Sequence, residues 1–143
     1  MTPLRYILDT DTVTLQQAGR EPVIRRLANL SPDIVFTTVV TVREQVKGRL
    51  AAIDRANEGF ELTATYDRLL ATVRYFAQVN VLPFSPAAAE MLRTFRRRRI
   101  RIGTQDLRIA AIVLAEGGLL ITGNRRDFEQ IPELLIEDWT RIE

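Results

Sequence analysis

The chain has 143 residues, 46% hydrophobic and 27% charged, with a formal net charge of +2; these are the proportions of an ordinary soluble globular protein, long enough to bury a core without disulfides or a structural metal. It contains no Cys and no His, which excludes thiolate catalysis, Ser–His–Asp triads and His-pair nuclease mechanisms, and disfavours zinc. What remains is oxygen chemistry, in which carboxylates, hydroxyls and carbonyls suit hard cations such as Mg²⁺ and Mn²⁺.

In chain order, Arg5-Tyr6-Ile7-Leu8 reads as a short apolar strand ending at Asp9. Pro22 opens a helix whose apolar face is Val23, Leu27 and Leu30, and Ser31-Pro32-Asp33 ends it. Residues 34–38 form a second strand. Val42, Val46, Leu50 and Ile53 then recur at helical spacing, and a further helix from about Phe60 to Ala77 presents Leu62, Tyr66, Leu69, Leu70, Val73 and Phe76. A third strand runs from Val79 to Phe84. Ser85-Pro86 caps a helix with Ala88, Met91, Leu92 and Phe95 on its buried stripe. Thr104 caps the next helix, which carries Leu107, Ala110, Ala111 and Leu114 and stops at Gly117-Gly118. Residues 119–122 are a fourth strand and residues 134–136 a fifth.

Strands alternating with helices predict an α/β fold with a mostly parallel sheet covered on both faces. Right-handed crossovers bring helix N-termini to the C-terminal edge of such a sheet, where ligands bind. Asp9 and Asp11 follow the first strand, and Glu44 lies in the first turn of the helix after the second. Asp106 opens the helix before the fourth strand, with Asn124 and Asp127 just beyond that strand. All of them project to one edge. Carboxylates brought together there repel one another, and a divalent cation removes that penalty.

Each residue has a second reading. Asp9 fits an Asx turn, Asp106 fits the helix dipole and Asp127 fits a loop cap. Thr41-x-x-Glu44 has the spacing of a capping box, so pattern alone favours a capping role for Glu44. Thr10, Thr12 and Thr122 are either hydroxyl supports for the acids or β-favouring residues. Asp106 stands out because it is the only acid between Gly103 and Ala115, on a helix apolar on nearly all sides apart from Arg108, where an unpaired carboxylate is costly.

These segments resemble the motifs of PIN-domain ribonucleases. The likeness lies in Tyr6-Ile7-Leu8-Asp9-Thr10-Asp11, in Thr41-Val42-Arg43-Glu44-Gln45 followed by Gly48, in Ile102 through Ala111, and in Leu120 through Phe128. Order and spacing match, and the likeness is strongest to the VapC-like toxins of type II toxin–antitoxin pairs. The resemblance implies a single PIN-like domain over residues 1–143, a three-layer α/β/α fold with a sheet of four to five strands, and metal-dependent cleavage of RNA. It also implies a Mg²⁺ or Mn²⁺ cofactor, a cognate antitoxin and a homodimer. By position Asp9, Glu44 and Asp106 match the metal-holding acids. The fourth acidic position falls on Asn124 or, three residues later, on Asp127; Asp11, Thr10 and Thr122 are the further candidates around it. With no disulfide and no membrane segment, the expected location is cytoplasmic.

The arginines Arg96, Arg97, Arg99 and Arg101, in a run with Arg93 and Arg98, read equally as an RNA-backbone contact and as a solvated helix end. Two other functions compete. Asp9-Thr10-Asp11-Thr12-Val13 also resembles the first motif of haloacid-dehalogenase-like phosphatases, with Asp9 as nucleophile, Thr37 or Thr38 as second motif and Lys47, the only lysine, as the required cation. Asn124 also fits a PIN module with weakened catalysis that only binds.

Overall fold

A computed structural model describes residues 4–141 of the chain. Its elements run β1 (Tyr6–Leu8), α1 (Thr10–Gln17), α2 (Glu21–Ala28), a short 3₁₀ turn (Pro32–Ile34), β2 (Val35–Thr38), α3 (Val39–Arg55), α4 (Phe60–Gln78), β3 (Asn80–Leu82), α5 (Pro86–Arg97), α6 (Thr104–Glu116), β4 (Leu119–Ile121), α7 (Arg125–Phe128) and β5 (Leu135–Glu137). The five strands form one sheet of order β3-β2-β1-β4-β5, and every pairing is parallel.

Strand alternation builds a core on each face of this sheet. Ile7 and Leu120 point to one face and join Phe95, Ala88, Ile109 and Ile112 of α5 and α6. Leu8 and Ile121 point to the other and join Val13 of α1, Val23 of α2 and Trp139. The expected three-layer α/β/α arrangement follows from that division. Trp139 closes the second core: it is 2% exposed, its ring lies 5.7 Å from that of Tyr6, and its Nε1 donates to Glu137 Oε1 at 2.8 Å.

Gly117 and Gly118 end α6 for different reasons. Gly117 caps the helix with φ +76, the left-handed region open to glycine. Gly118 lies against β1, where an added Cβ would stand 2.9 Å from Ile7 Cδ1 and 3.1 Å from the Arg5 carbonyl oxygen. Because a backbone carbonyl held in the sheet cannot yield, Gly118→Ala is expected to destabilise the fold by about 1–3 kcal/mol. Urea unfolding checks this, and an unchanged midpoint would refute it.

Several local expectations are corrected. The helix α1 starts immediately after β1 and was not anticipated, because only Val13 and Leu15 in it are apolar. The helix α3 begins at Val39, capped by Thr38, whose side chain accepts from the Thr41 backbone N–H. Glu44 is therefore in the second turn, and the Thr41–Glu44 capping box does not form. The buried residues of α3 are Val40, Thr41 and Gln45; Leu50 of the expected stripe is 48% exposed. Polar partners make that burial tolerable, since Gln45 exchanges amide hydrogen bonds with Gln17 at 2.9 Å in both directions. On α4 the expected stripe is largely open, with Tyr66, Leu70 and Val73 exposed and Thr72 the buried residue. The cap of α6 is Gly103 rather than Thr104.

Candidate metal centre

Because all five strands are parallel, the ends of β1, β2 and β4 share one edge, and α6, running back to β4, starts there too. Asp9 follows β1 and caps α1: its Oδ1 accepts from the Thr12 backbone N–H at 2.9 Å, and its own N–H donates to the Ile121 carbonyl at 3.1 Å. Backbone bonds on both sides hold this carboxylate in place, 3% exposed. Burial raises its pKa above the ordinary aspartate value, against the hydrogen-bond donors of Thr12 and Thr122, and the neighbouring charge of Asp11 adds to the rise.

Glu44 is brought to the same edge by α3 and oriented by two hydroxyls. Thr10 Oγ1 lies 2.7 Å from Glu44 Oε1 and 2.9 Å from Thr41 Oγ1. A hydroxyl has one proton, and an ionised carboxylate can only accept. Thr10 therefore donates to Glu44, and Thr41 donates to Thr10. Thr10 was a candidate support for the acids, but the part played by Thr41 was missed. The signal was its spacing from Glu44, three residues apart on one helix face, which suits a relay as well as a cap.

Asp106, in the first turn of α6, is half-buried. Its pKa is raised to about 6, first by desolvation, then by the charge of Asp9, with Glu44 and Asp11 adding to it and a hydrogen bond from Asn124 opposing. The same interactions place Asp9, Asp11 and Glu44 each within electrostatic reach of Asp106. Asn124 joins Asp127 to this group. Its Nδ2 donates to Asp127 Oδ2 at 2.9 Å and reaches Asp106 Oδ2 at 3.4 Å. Thr122 Oγ1 accepts from the Asn124 N–H at 2.9 Å and fixes the turn that presents this amide. Both candidates for the fourth position therefore lie at this edge, Asn124 just beyond β4 and Asp127 on the short helix α7, joined by a hydrogen bond.

Among the described residues no three carboxylates are gathered closely enough to close around a metal ion. Each is held instead by a neutral donor: Asp9 by a backbone N–H, Glu44 by Thr10, and Asp106 and Asp127 by Asn124. The chemistry of the set nonetheless suits a hard divalent cation. Its ligating atoms are all oxygens, no ion pair to Asp9, Glu44, Asp106 or Asp127 occurs among the described residues, and Asp106 is pushed toward its neutral form by burial and by like charges.

The arginine run divides. Arg98 pairs with Glu133 at 2.6 Å, Arg93 pairs with Glu90 at 2.9 Å, and Arg97 donates to Thr94 at 3.4 Å. Arg99 takes φ 57 beyond the end of α5, with its N–H on the Arg96 carbonyl and that of Ile100 on the Phe95 carbonyl, so the run closes the helix. The Arg101 backbone is held by Gln130 at 3.3 Å. Arg96 lines a groove that it shares with Val39, Val40, Arg43, Phe84, Leu92, Gln105 and Arg108. Arg43 is next to Glu44 in sequence and Arg108 is two residues beyond Asp106. Gln105 Oε1 is buried there without a hydrogen-bond partner among the described residues.

The phosphatase reading gains no support from this arrangement. Thr37 Oγ1 donates to the Leu8 carbonyl at 2.9 Å, and Thr38 caps α3. Lys47 lies in a second groove along α3 with Arg43, Val46, Leu50, Ala51 and Asp54, which meets the first at Arg43.

No protein-family model matches the chain. It is 28% identical over 141 residues to the tRNA(fMet)-specific endonuclease VapC of Salmonella typhimurium, covering 95% of this chain and 98% of that protein. It is 26% identical over 143 residues to ribonuclease VapC1 of Haemophilus influenzae, with 95% and 98% coverage. Among solved structures it is similar to VapBC-1 from nontypeable Haemophilus influenzae, with a TM-score of 0.75, 25% identity, and 96% of this chain and 100% of that chain covered. It is also similar to the DNA-bound VapBC of Salmonella typhimurium, with a TM-score of 0.73, 26% identity and 96% and 99% coverage.

Proposed function

Because this chain is VapC-like in sequence and in fold, we propose that it is a metal-dependent endoribonuclease, the toxin of a toxin–antitoxin pair, using Asp9, Glu44 and Asp106 to hold Mg²⁺ or Mn²⁺. The observation that carries the site is that Asp9, just after β1, and Glu44, on α3, both act electrostatically on Asp106 of α6 at one sheet edge, in a chain whose relatives are named as ribonucleases. We further propose that the single PIN-like domain spans residues 1–143, that it works in the cytoplasm as a homodimer, and that it is blocked by a cognate antitoxin. No described helix is long and apolar enough to cross a membrane.

A divalent ion at these carboxylates supplies the positive charge that acidifies water and offsets charge developing on a phosphoryl oxygen. The rest is work for the chain. Asp9, fixed as the cap of α1, gives the site a carboxylate that does not move. Thr41 and Thr10 pass one hydrogen-bond direction to Glu44 and hold its Oε1. Asn124 donates toward both Asp106 and Asp127, and Asp127 and Asp11 are the carboxylates left to take a proton from water. Arg43, Arg96 and Arg108, none of them ion-paired among the described residues, line the groove along which RNA phosphates would lie. Arg97, Arg99 and Arg101 are exposed helix-end cations that add to the field without lining that groove.

The test is direct. Purified chain is expected to cut RNA internally in Mg²⁺ or Mn²⁺ and to leave a generic phosphomonoester intact. Phosphomonoester turnover without RNA cleavage would overturn the assignment, and RNA binding without cleavage would leave only a binding module.

A further inference from the structure

This inference rests on the metal site just proposed and concerns how many ions it takes. Two carboxylates held side by side require either a positive centre or a hydrogen-bond donor between them. At the Asp106–Asp127 pair that donor is already present. Asn124 Nδ2 lies 2.9 Å from Asp127 Oδ2 and 3.4 Å from Asp106 Oδ2, so the amide nitrogen donates toward a carboxylate oxygen of each. The residue is also anchored through its backbone, with its N–H on Thr122 Oγ1 at 2.9 Å and its carbonyl accepting from the Phe128 N–H at 3.3 Å.

We propose that the Asn124 amide stands in for a second cation, so that the site takes one divalent ion, on the Asp9–Glu44–Asp106 side, and none between Asp106 and Asp127. Two-ion centres hold their metals about 3.5–4 Å apart and need carboxylates free to bridge them. Here the oxygens that would bridge are accepting N–H bonds. A cation entering between them meets the positive edge of the amide. To admit it, Asn124 has to turn its oxygen inward, which gives up both hydrogen bonds and adds no charge to the ligand set. An aspartate of the same shape at that position would reverse both effects: it has no N–H to give, and it brings a full negative charge.

Mn²⁺ titration of the full chain, followed by calorimetry and by the electron paramagnetic resonance of free Mn²⁺, reads the stoichiometry without reference to activity. One ion per chain is expected, with no spin-coupled Mn²⁺ pair in the spectrum. Asn124→Asp is expected to bind two. Two ions in the natural chain, or a coupled pair in its spectrum, would overturn the inference and leave the metal site standing. No ion bound at all would overturn the site itself. A folded Asn124→Asp chain that still binds one ion would show that the amide is not what keeps the second out. Should that variant fail to fold, the spectrum of the natural chain decides alone.

Discussion

Asp106→Asn and Asp9→Asn are each expected to lower RNA cleavage by at least about 10²–10³-fold, the loss typical of removing one charge-stabilising group from an active site. Both substitutions keep the shape of the side chain and remove its charge. For Asp106 the fold has every reason to survive. Desolvation and the charges of Asp9, Glu44 and Asp11 all work against its ionised form. A neutral amide relieves that repulsion, so the metal-free variant should melt no lower than the natural protein while its activity falls. Asp9 is different in one respect. Its Oδ1 caps α1 by accepting from the Thr12 N–H, a bond that an asparagine oxygen can also accept. The expected cost to stability is therefore a fraction of the cap's ordinary value of about 1 kcal/mol. Cleavage assays with circular dichroism check both variants. Cleavage at the natural rate by either one would remove that residue from the site.

The second large effect couples metal to pH. Chelation with EDTA should abolish cleavage, and replacement of Mg²⁺ or Mn²⁺ should restore it. The same ion should stabilise the fold in a pH-dependent way, and the sign follows from Asp106. Its carboxyl titrates near 6 in the folded chain against 3.8 as an ordinary aspartate. Between those values the folded state holds more protons than the unfolded state. Without metal, this group's contribution to stability is therefore fully present below about pH 4 and is lost as pH rises through about 6. Asp9, also raised, acts in the same direction. Because Asp106 is only half-buried, solvent screening trims the effect, and the expected change in melting temperature is on the order of a few degrees. The informative quantity is the difference between the natural chain and Asp106→Asn in EDTA. It should widen in favour of the variant as pH rises from 4 toward 6.5 and level off above. Mn²⁺ binds the ionised form, so it should raise the melting temperature of the natural chain more at pH 7.5 than at pH 5. A metal-induced shift that is equal at both pH values would contradict the assigned role of the carboxylates.

The amino-acid sequence alone determined the alternation of strands and helices, the parallel sheet and the edge at which Asp9, Glu44, Asp106, Asn124 and Asp127 would appear. Those features follow from local period and from the handedness of crossovers, which each segment carries in its own residues. The absence of His and Cys limited the chemistry to oxygen ligands before any contact was known.

Tertiary structure decided how each acid is held. Whether Thr41 caps a helix or supports Thr10 depends on where α3 begins, and Thr38 at the end of β2 sets that. Whether the buried side of α3 is apolar depends on Gln17 and Gln45 finding each other across 28 positions of chain. The link between Asn124 and Asp127 could not be read from either residue singly, because it is a hydrogen bond from one to the other and on to Asp106. Local pattern reports what a segment prefers. A hydrogen bond between segments exists only once packing has brought donor and acceptor within about 3 Å, and the carboxylates of this site are oriented by such bonds.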